Sequence, residues 1–224
     1  EDDLTFPPDY MQRVASLYAA DAEQRVAGIG AAVCRPGSLP LRRRAWDLLA
    51  RWLGEGCWGP RRQAARYATL PPALAGRLVP AARLSGGGLT LRRTVAAAER
   101  FDETMSGYAF GEDMEFCYRI APRRTLYRAP ELTALHLPAA AGRPDGTARG
   151  RMYAAGTLRI VRNVAAGGAG TWLLAAYQLG GMALLYAAWS AVSLRADKAR
   201  FARGLVWETA RTGAGAVRRL LCGC

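Results

Sequence analysis

No charged side chain occurs from Asn163 to Leu194, and from Trp172 to Leu194 the chain is predominantly apolar. A helix over that second stretch would cover about 34 Å at 1.5 Å per residue, enough for a hydrocarbon core of about 30 Å. The expectation is a helix that enters a membrane. Gln178 and the Gly180-Gly181 pair interrupt the stretch and leave a re-entrant or interfacial helix open, with a helix buried in a protein core as the other alternative. Both flanks are basic: Arg143, Arg149, Arg151, Arg159 and Arg162 precede the stretch, and Arg195, Lys198, Arg200, Arg203, Arg211, Arg218 and Arg219 follow it. Each flank prefers the cytoplasm, so a single crossing is frustrated, and both a spanning helix and one dipping into a single leaflet stay open.

The 224 residues suffice for one ordinary domain and an appendage. Hydrophobic residues make up 51% and charged residues 22%, which excludes a disordered or fibrous chain. Lys plus Arg number 31 against 18 Asp plus Glu, a net charge of +13 that calls for an anionic partner. Nucleic acid, an acidic membrane face and a phosphorylated small molecule all satisfy that field. Zinc-finger spacing, an RNP-like aromatic strand and a zipper are all missing, which argues against a nucleic-acid-binding module. The five cysteines, Cys34, Cys57, Cys117, Cys222 and Cys224, are odd in number and form no CxxC pair. They indicate a reducing compartment and neither a disulfide framework nor a zinc knuckle. Cys222-Gly223-Cys224 is not a CaaX box. The opening Glu1-Asp2-Asp3, with neither Met nor signal peptide ahead of it, reads as a piece whose start is missing.

Helix and strand signals alternate along the first part. Asp9 is a candidate N-cap, followed by Tyr10, Met11, Val14, Leu17 and Tyr18 at the three-and-four spacing of a buried helical stripe. Arg25 to Val33 reads as a strand closed by Arg35-Pro36-Gly37. Leu39 to Leu53 is a basic helix bearing Trp46 and Trp52, suited to a membrane surface or to packing on the domain. Gly54 to Pro80 reads as a long loop with short strands. Val79 to Leu84 reads as a strand running into Ser85-Gly86-Gly87-Gly88, with a helix over Thr90 to Arg100. Leu126 to Arg128 and Leu132 to Leu137 are expected as two short strands flanking Pro130, the second ending at the lone histidine, His136.

Candidate chemistry sits in Glu1-Asp2-Asp3, in Gly111-Glu112-Asp113 and in His136. Taken singly, these are an acidic turn, a helix cap and a structural histidine. Taken in order, EDDLTFPPDY, SGGGLTLRR, FDETMSGYAFGEDMEFCYR and HLPAAAGR resemble family 2 glycosyltransferases of the inverting, GT-A-fold kind over almost the whole chain. The resemblance implies an α/β fold, a partial GT-A-like mixed sheet with flanking helices, followed by a C-terminal hydrophobic membrane helix. Residues 1–162 would be the C-terminal portion of the catalytic domain, 163–194 the membrane-associated or transmembrane segment, and 195–224 a basic tail. The half that precedes the acidic triplet, carrying the first strands and most of the nucleotide pocket, would be missing, which leaves open both a piece of a longer transferase and a noncatalytic, degenerate membrane-associated remnant of one.

By the same resemblance Asp3, His136 and Glu1 are the metal ligands, for Mg²⁺ or Mn²⁺ bridging a nucleotide-sugar diphosphate. Hard oxygen donors suit both ions. Glu1 stands where the family usually has Asp. Asp2, Gly86, Gly87, Arg92, Arg93 and Arg143 face the donor and its diphosphate. Asp113 is the general base toward the acceptor hydroxyl, and Glu112 orients or charges the site. No Gln-x-x-Arg-Trp pattern of the processive synthases is present, which favours single sugar addition. The implied acceptor is a lipid-linked or cell-envelope glycan, with the catalytic portion on the cytoplasmic face of a bacterial-type inner membrane.

Overall fold

β-Branched and small residues at every second position make a strand out of Gly28–Cys34, and this strand organises the first of two units. In a computed structural model, the structure describes residues 3–34, 48–49, 70–105, 109–137, 144–164 and 169–222. One unit comprises Glu1–Leu39, Gly59–Glu103 and Glu112–Ala140; the other comprises Pro40–Trp58, Thr104–Gly111 and Ala141–Cys224.

The first unit holds strands β1 (Leu4–Thr5), β2 (Gly28–Cys34), β3 (Val79–Pro80), β4 (Leu89–Leu91) and β5 (Leu126–His136), with helices α1 (Tyr10–Ala19), α2 (Arg93–Ala98) and α3 (Glu112–Ile120). The sheet order is β1-β5-β2-β4, with β3 also on β5. β2 and β5 run parallel, and the other pairs are antiparallel. The mixed sheet with flanking helices is therefore as expected.

Two apolar clusters fix the helices to this sheet. Tyr10, Val14 and Leu17 of α1 pack with Ile29, Tyr127, Ala129 and Leu132. Phe116, Cys117 and Ile120 of α3 pack with Ala27, Leu84, Val95 and Leu126. Residues 127 and 129 thus belong to one cluster and 126 to the other, the period-two alternation of a strand covered on both faces. Each fully buried Leu or Ile contributes about 2 kcal/mol of transfer free energy. Burial also pushes the Cys117 thiol up to about 12, so it stays protonated at neutral pH. Met11, expected in the α1 stripe, is instead 69% exposed.

Where two short strands were expected around Pro130, β5 is one strand. The parallel register jumps from Ala31 opposite Ala129 to Ala32 opposite Thr133, so residues 130–132 bulge out of the ladder. Proline has no N–H to give the ladder, and the bulge removes the need for one. The expected strand over Val79–Leu84 shortens to β3. The helix expected from Thr90 starts only at Arg93, because Leu89–Leu91 pairs with Gly28–Gly30. The expected helix over Leu39–Leu53 lies almost wholly outside the described residues; Leu48 and Leu49 are helical.

The second unit is helical: α4 (Gly146–Val164), α5 (Ala169–Ser193) and α6 (Ala196–Cys222). The expected basic tail is α6, because Phe201, Ala202, Leu205 and Glu208 recur on one side of it and are buried. α5 corrects the expected C-terminal hydrophobic membrane helix: among the described residues no helix is long and apolar enough to cross a membrane. Gln178, Tyr177, Tyr186, Ser190 and the paired glycines dilute its apolar content. Its inward side is already used in protein packing, with Leu179, Met182 and Ala183 against Ala154, Leu158, Phe201 and Leu205. Gln178 is 2% exposed and donates to the Tyr153 hydroxyl at 2.9 Å, as a buried amide must.

Candidate functional site

Antiparallel pairing of β1 with β5 sets Leu4 opposite His136 and brings the start of the described chain to the end of the longest strand. Leu137 N–H donates to the Asp3 carbonyl at 2.7 Å, extending the ladder by one bond. Across this junction His136 Nε2 and Asp3 Oδ2 lie 2.8 Å apart, with 19% and 23% of the side chains exposed. A carboxylate and an imidazole are thus side by side and reachable from solvent.

The glycine turn Gly86–Gly88 precedes β4 and packs tightly on β2, where a Cβ on Gly88 would stand 2.9 Å from that of Ala31. Gly86 N–H donates to Asp113 Oδ2 at 2.9 Å, and Met114 N–H donates to Oδ1 at 2.8 Å. Two backbone donors therefore fix the Asp113 carboxylate while each oxygen keeps a further lone pair. The turn into α3 carries Ala109 at φ 42° and Gly111 at φ 87°. A non-glycine residue in the left-handed region stores strain of about 1 kcal/mol or more. Glu112, Asp113 and Glu115 occupy the first turn of α3, where acidic groups complement the helix dipole. Glu115 turns inward to Arg119 at 3.0 Å, whereas Glu112 and Asp113 line a cleft of about 730 Å³.

Leu4, Phe6, Tyr10, Gly86, Gly87, Gly88 and Phe101 line the same cleft. Phe6 sits 4.6 Å from the Tyr10 ring, and Phe101 stacks on Phe116 at 4.3 Å. Phe6 and Phe101 remain 41% and 42% exposed. Exposed aromatic faces beside carboxylates suit the apolar C–H face and the hydroxyl edge of a sugar. These rings were missed in the sequence; the signal was the Phe6-Pro7-Pro8 run inside the acidic motif.

The expected residues therefore separate. Asp3 and His136 meet, Asp113 is fastened to Gly86, and Leu4, next to Asp3, shares the cleft with Gly86, Gly87, Glu112 and Asp113. Arg92 faces elsewhere: its guanidinium binds the Asp21 carboxylate at 2.7 Å and donates to the carbonyls of Val26, Tyr18 and Asp21. That makes it a strut between the α1 end and β2. Burial works to raise the pKa of Asp21, but the N–H donors of Val26 and Arg25 together with Arg92 outweigh it and lower the value. Arg93 is exposed at the first position of α2. Glu1, Asp2 and Arg143 lie outside the described residues.

Among the described residues no group of three or more His, Cys, Asp or Glu forms a ready metal cage. Asp3 and His136 are two donors, and two donors fit an ion that takes its remaining coordination from a diphosphate and water. The imidazole suits Mn²⁺ better than Mg²⁺. Comparison with protein-family models, curated proteins and solved structures finds no match to this chain.

Proposed function

We propose that this chain carries part of the catalytic domain of an inverting, family 2-type glycosyltransferase, moving a sugar from a nucleotide-sugar donor to a lipid-linked or cell-envelope glycan at the cytoplasmic face of a membrane. One observation carries the reading: the 2.8 Å approach of His136 to Asp3, in the unit that also fastens Asp113 at the rim of an aromatic cleft.

Asp113 receives the proton of the acceptor hydroxyl while that oxygen bonds to the anomeric carbon. The bond from that carbon to the diphosphate breaks on the opposite face, and the leaving group departs with its electron pair, which inverts the configuration. The Gly86 and Met114 N–H groups hold the base at a fixed angle, so little reorganisation is needed at the reacting moment. Phe6 and Phe101 orient a sugar ring by stacking, and Glu112 adds a carboxylate toward its hydroxyls. Asp3 and His136 would hold the Mg²⁺ or Mn²⁺, which supplies positive charge for the departing diphosphate. Arg92 is left out of this scheme, because its guanidinium is engaged with Asp21.

Membranes from cells expressing the gene that encodes this chain, incubated with radiolabelled nucleotide sugars, test the reading. Label should enter lipid or envelope glycan and should be lost with Asp113→Asn. Equal incorporation by the variant would reject Asp113 as the base.

A further inference from the structure

The chain leaves the first unit after Glu103 and returns to it at Glu112; the stretch between, Thr104–Gly111, belongs to the helical unit. Both ends of this excursion adjoin the cleft: Phe101 lines it just before the departure, and Glu112 and Asp113 line it just after the return. The departure is fixed to α3, with Phe101 stacked on Phe116 at 4.3 Å and the Arg119 guanidinium donating to the Arg100 carbonyl.

α4 holds the excursion itself. At its start the Arg159 guanidinium donates to the Thr104 carbonyl at 3.3 Å and to the Thr104 hydroxyl. At its end the Phe110 ring lies 5.2 Å from that of Tyr153. The Phe110 carbonyl oxygen rests on Gly156, where a Cβ would fall well inside contact distance of it. Tyr153, Gly156 and Arg159 are each three residues from the next, so successive turns of α4 present them to the same stretch. Tyr153 is fixed in turn: its ring meets that of Phe201 at 6.1 Å, and its hydroxyl accepts from the buried Gln178 amide at 2.9 Å. All three helices of the helical unit thus build the seat of Phe110.

The seat controls a strained turn. Phe110 stands between Ala109 at φ 42° and Gly111 at φ 87°. Glycine adopts the left-handed region without steric cost and alanine does not. An alanine stays there only where its surroundings hold it. Fixing the carbonyl and the ring of Phe110 sets the direction in which the chain passes through Gly111 into α3. Two residues on, the Asp113 carboxylate must reach the Gly86 N–H at 2.9 Å. Phe116, Cys117 and Ile120 anchor the rest of α3 in the core, but the first N–H groups of a helix have no partner within it. The first turn of α3, where Asp113 sits, is therefore the part that depends on how the chain arrives.

We infer that α4 positions Asp113 through the chain: Gly156 and Tyr153 seat Phe110, and the seated Phe110 aims the turn that delivers the carboxylate to Gly86 and the cleft. Tyr153, Gly156 and Phe110 are positioning residues and touch no substrate. Their effect on sugar transfer rests on Asp113 being the base proposed above, whereas their effect on the Asp113–Gly86 bond does not.

Amide hydrogen exchange of the purified chain, resolved by NMR, tests the inference at the Gly86 N–H, whose acceptor is Asp113. Gly156→Ala keeps α4 helical, since alanine is the better helix former, and displaces the Phe110 carbonyl. Phe110→Ala removes the ring at a position that is 37% exposed. Each should speed exchange at Gly86 roughly tenfold or more while β2 and the end of α3 keep wild-type protection. Tyr153→Phe retains the ring and should leave Gly86 protected. In membranes from cells expressing the gene, Gly156→Ala and Phe110→Ala should lower kcat for sugar transfer roughly tenfold to a hundredfold with the donor KM unchanged. Unchanged exchange at Gly86 in both variants would overturn the inference. So would faster exchange spread evenly over the first unit, which would make the seat a contact that only holds the fold. Faster exchange confined to Gly86 and the start of α3, in a protein that transfers no sugar, would uphold the seat and reject the transferase reading instead.

Discussion

His136 Nε2 and Asp3 Oδ2 are 2.8 Å apart although 133 positions separate them in the chain. Strand pairing of Leu4 with His136 delivers the two side chains to one edge of the sheet, and both remain partly open to solvent. If the pair is a metal site, His136→Ala should weaken Mn²⁺ binding by tenfold or more, about 1.4 kcal/mol. Electron paramagnetic resonance of free Mn²⁺ reads this without any turnover. A pair that only ties β1 to β5 would instead give a lower melting temperature at unchanged Mn²⁺ affinity.

Asp113 is held by the Gly86 N–H on one carboxylate oxygen and the Met114 N–H on the other, and an asparagine, with a single Oδ, keeps one of these two bonds. Asp113→Asn keeps the shape and removes the proton acceptor. Turnover should fall about 10²- to 10⁴-fold, with donor binding nearly unchanged. Single-turnover transfer measured beside nucleotide-sugar binding checks the split. A parallel loss of donor affinity would reassign Asp113 to positioning.

Much of the first unit could be read from the chain because its signals are local. Tyr10, Val14 and Leu17 mark α1 by spacing, and the small and β-branched residues before Arg35-Pro36-Gly37 mark β2. The continuity of β5 was hidden because Pro130 is a breaker locally, and only the register with β2 shows it lodged in a bulge. α5 misled for a related reason: apolar content along a line does not reveal that Leu179, Met182 and Ala183 have protein partners in Phe201 and Leu205. Arg92 resembled a phosphate ligand by its place after the glycine turn, while its partner Asp21 lies 71 residues upstream, beyond any local pattern.

The Asp21–Arg92 pair contributes to acid stability in the first unit. The Asp21 side chain is fully buried and that of Arg92 is 16% exposed. The folded-state pKa of Asp21 is lowered, so its stabilisation is fully present above the unfolded value of about 3.9. It is lost as the pH falls through the lower folded value. Urea melts between about pH 5 and pH 2 should therefore be steeper in pH for wild type than for Asp21→Asn. Arg92→Ala should cost about 3 kcal/mol, the low end for a broken buried pair, because the Arg25 and Val26 N–H groups still hold the carboxylate. Its donor affinity, corrected for folded fraction, should not change.

In the helical unit α4 and α6 touch backbone to backbone through glycines. A Cβ on Gly150 would fall well inside contact distance of the Phe201 carbonyl oxygen, and one on Gly204 inside that of the Thr147 carbonyl oxygen. Neither obstacle is a flexible side-chain end, so the helices must separate to admit a methyl group. Gly150→Ala and Gly204→Ala should each cost roughly 3 kcal/mol, the upper end for overpacking. Intrinsic propensity pulls the other way, since alanine is favoured over glycine in a helix by about 1 kcal/mol. Gly180 in α5 meets nothing within 4 Å, so Gly180→Ala feels only that propensity and should raise stability. Thermal and urea melts of the three variants separate the terms. If Gly150→Ala and Gly180→Ala shifted the midpoint in the same direction, the close crossing of α4 and α6 would be wrong.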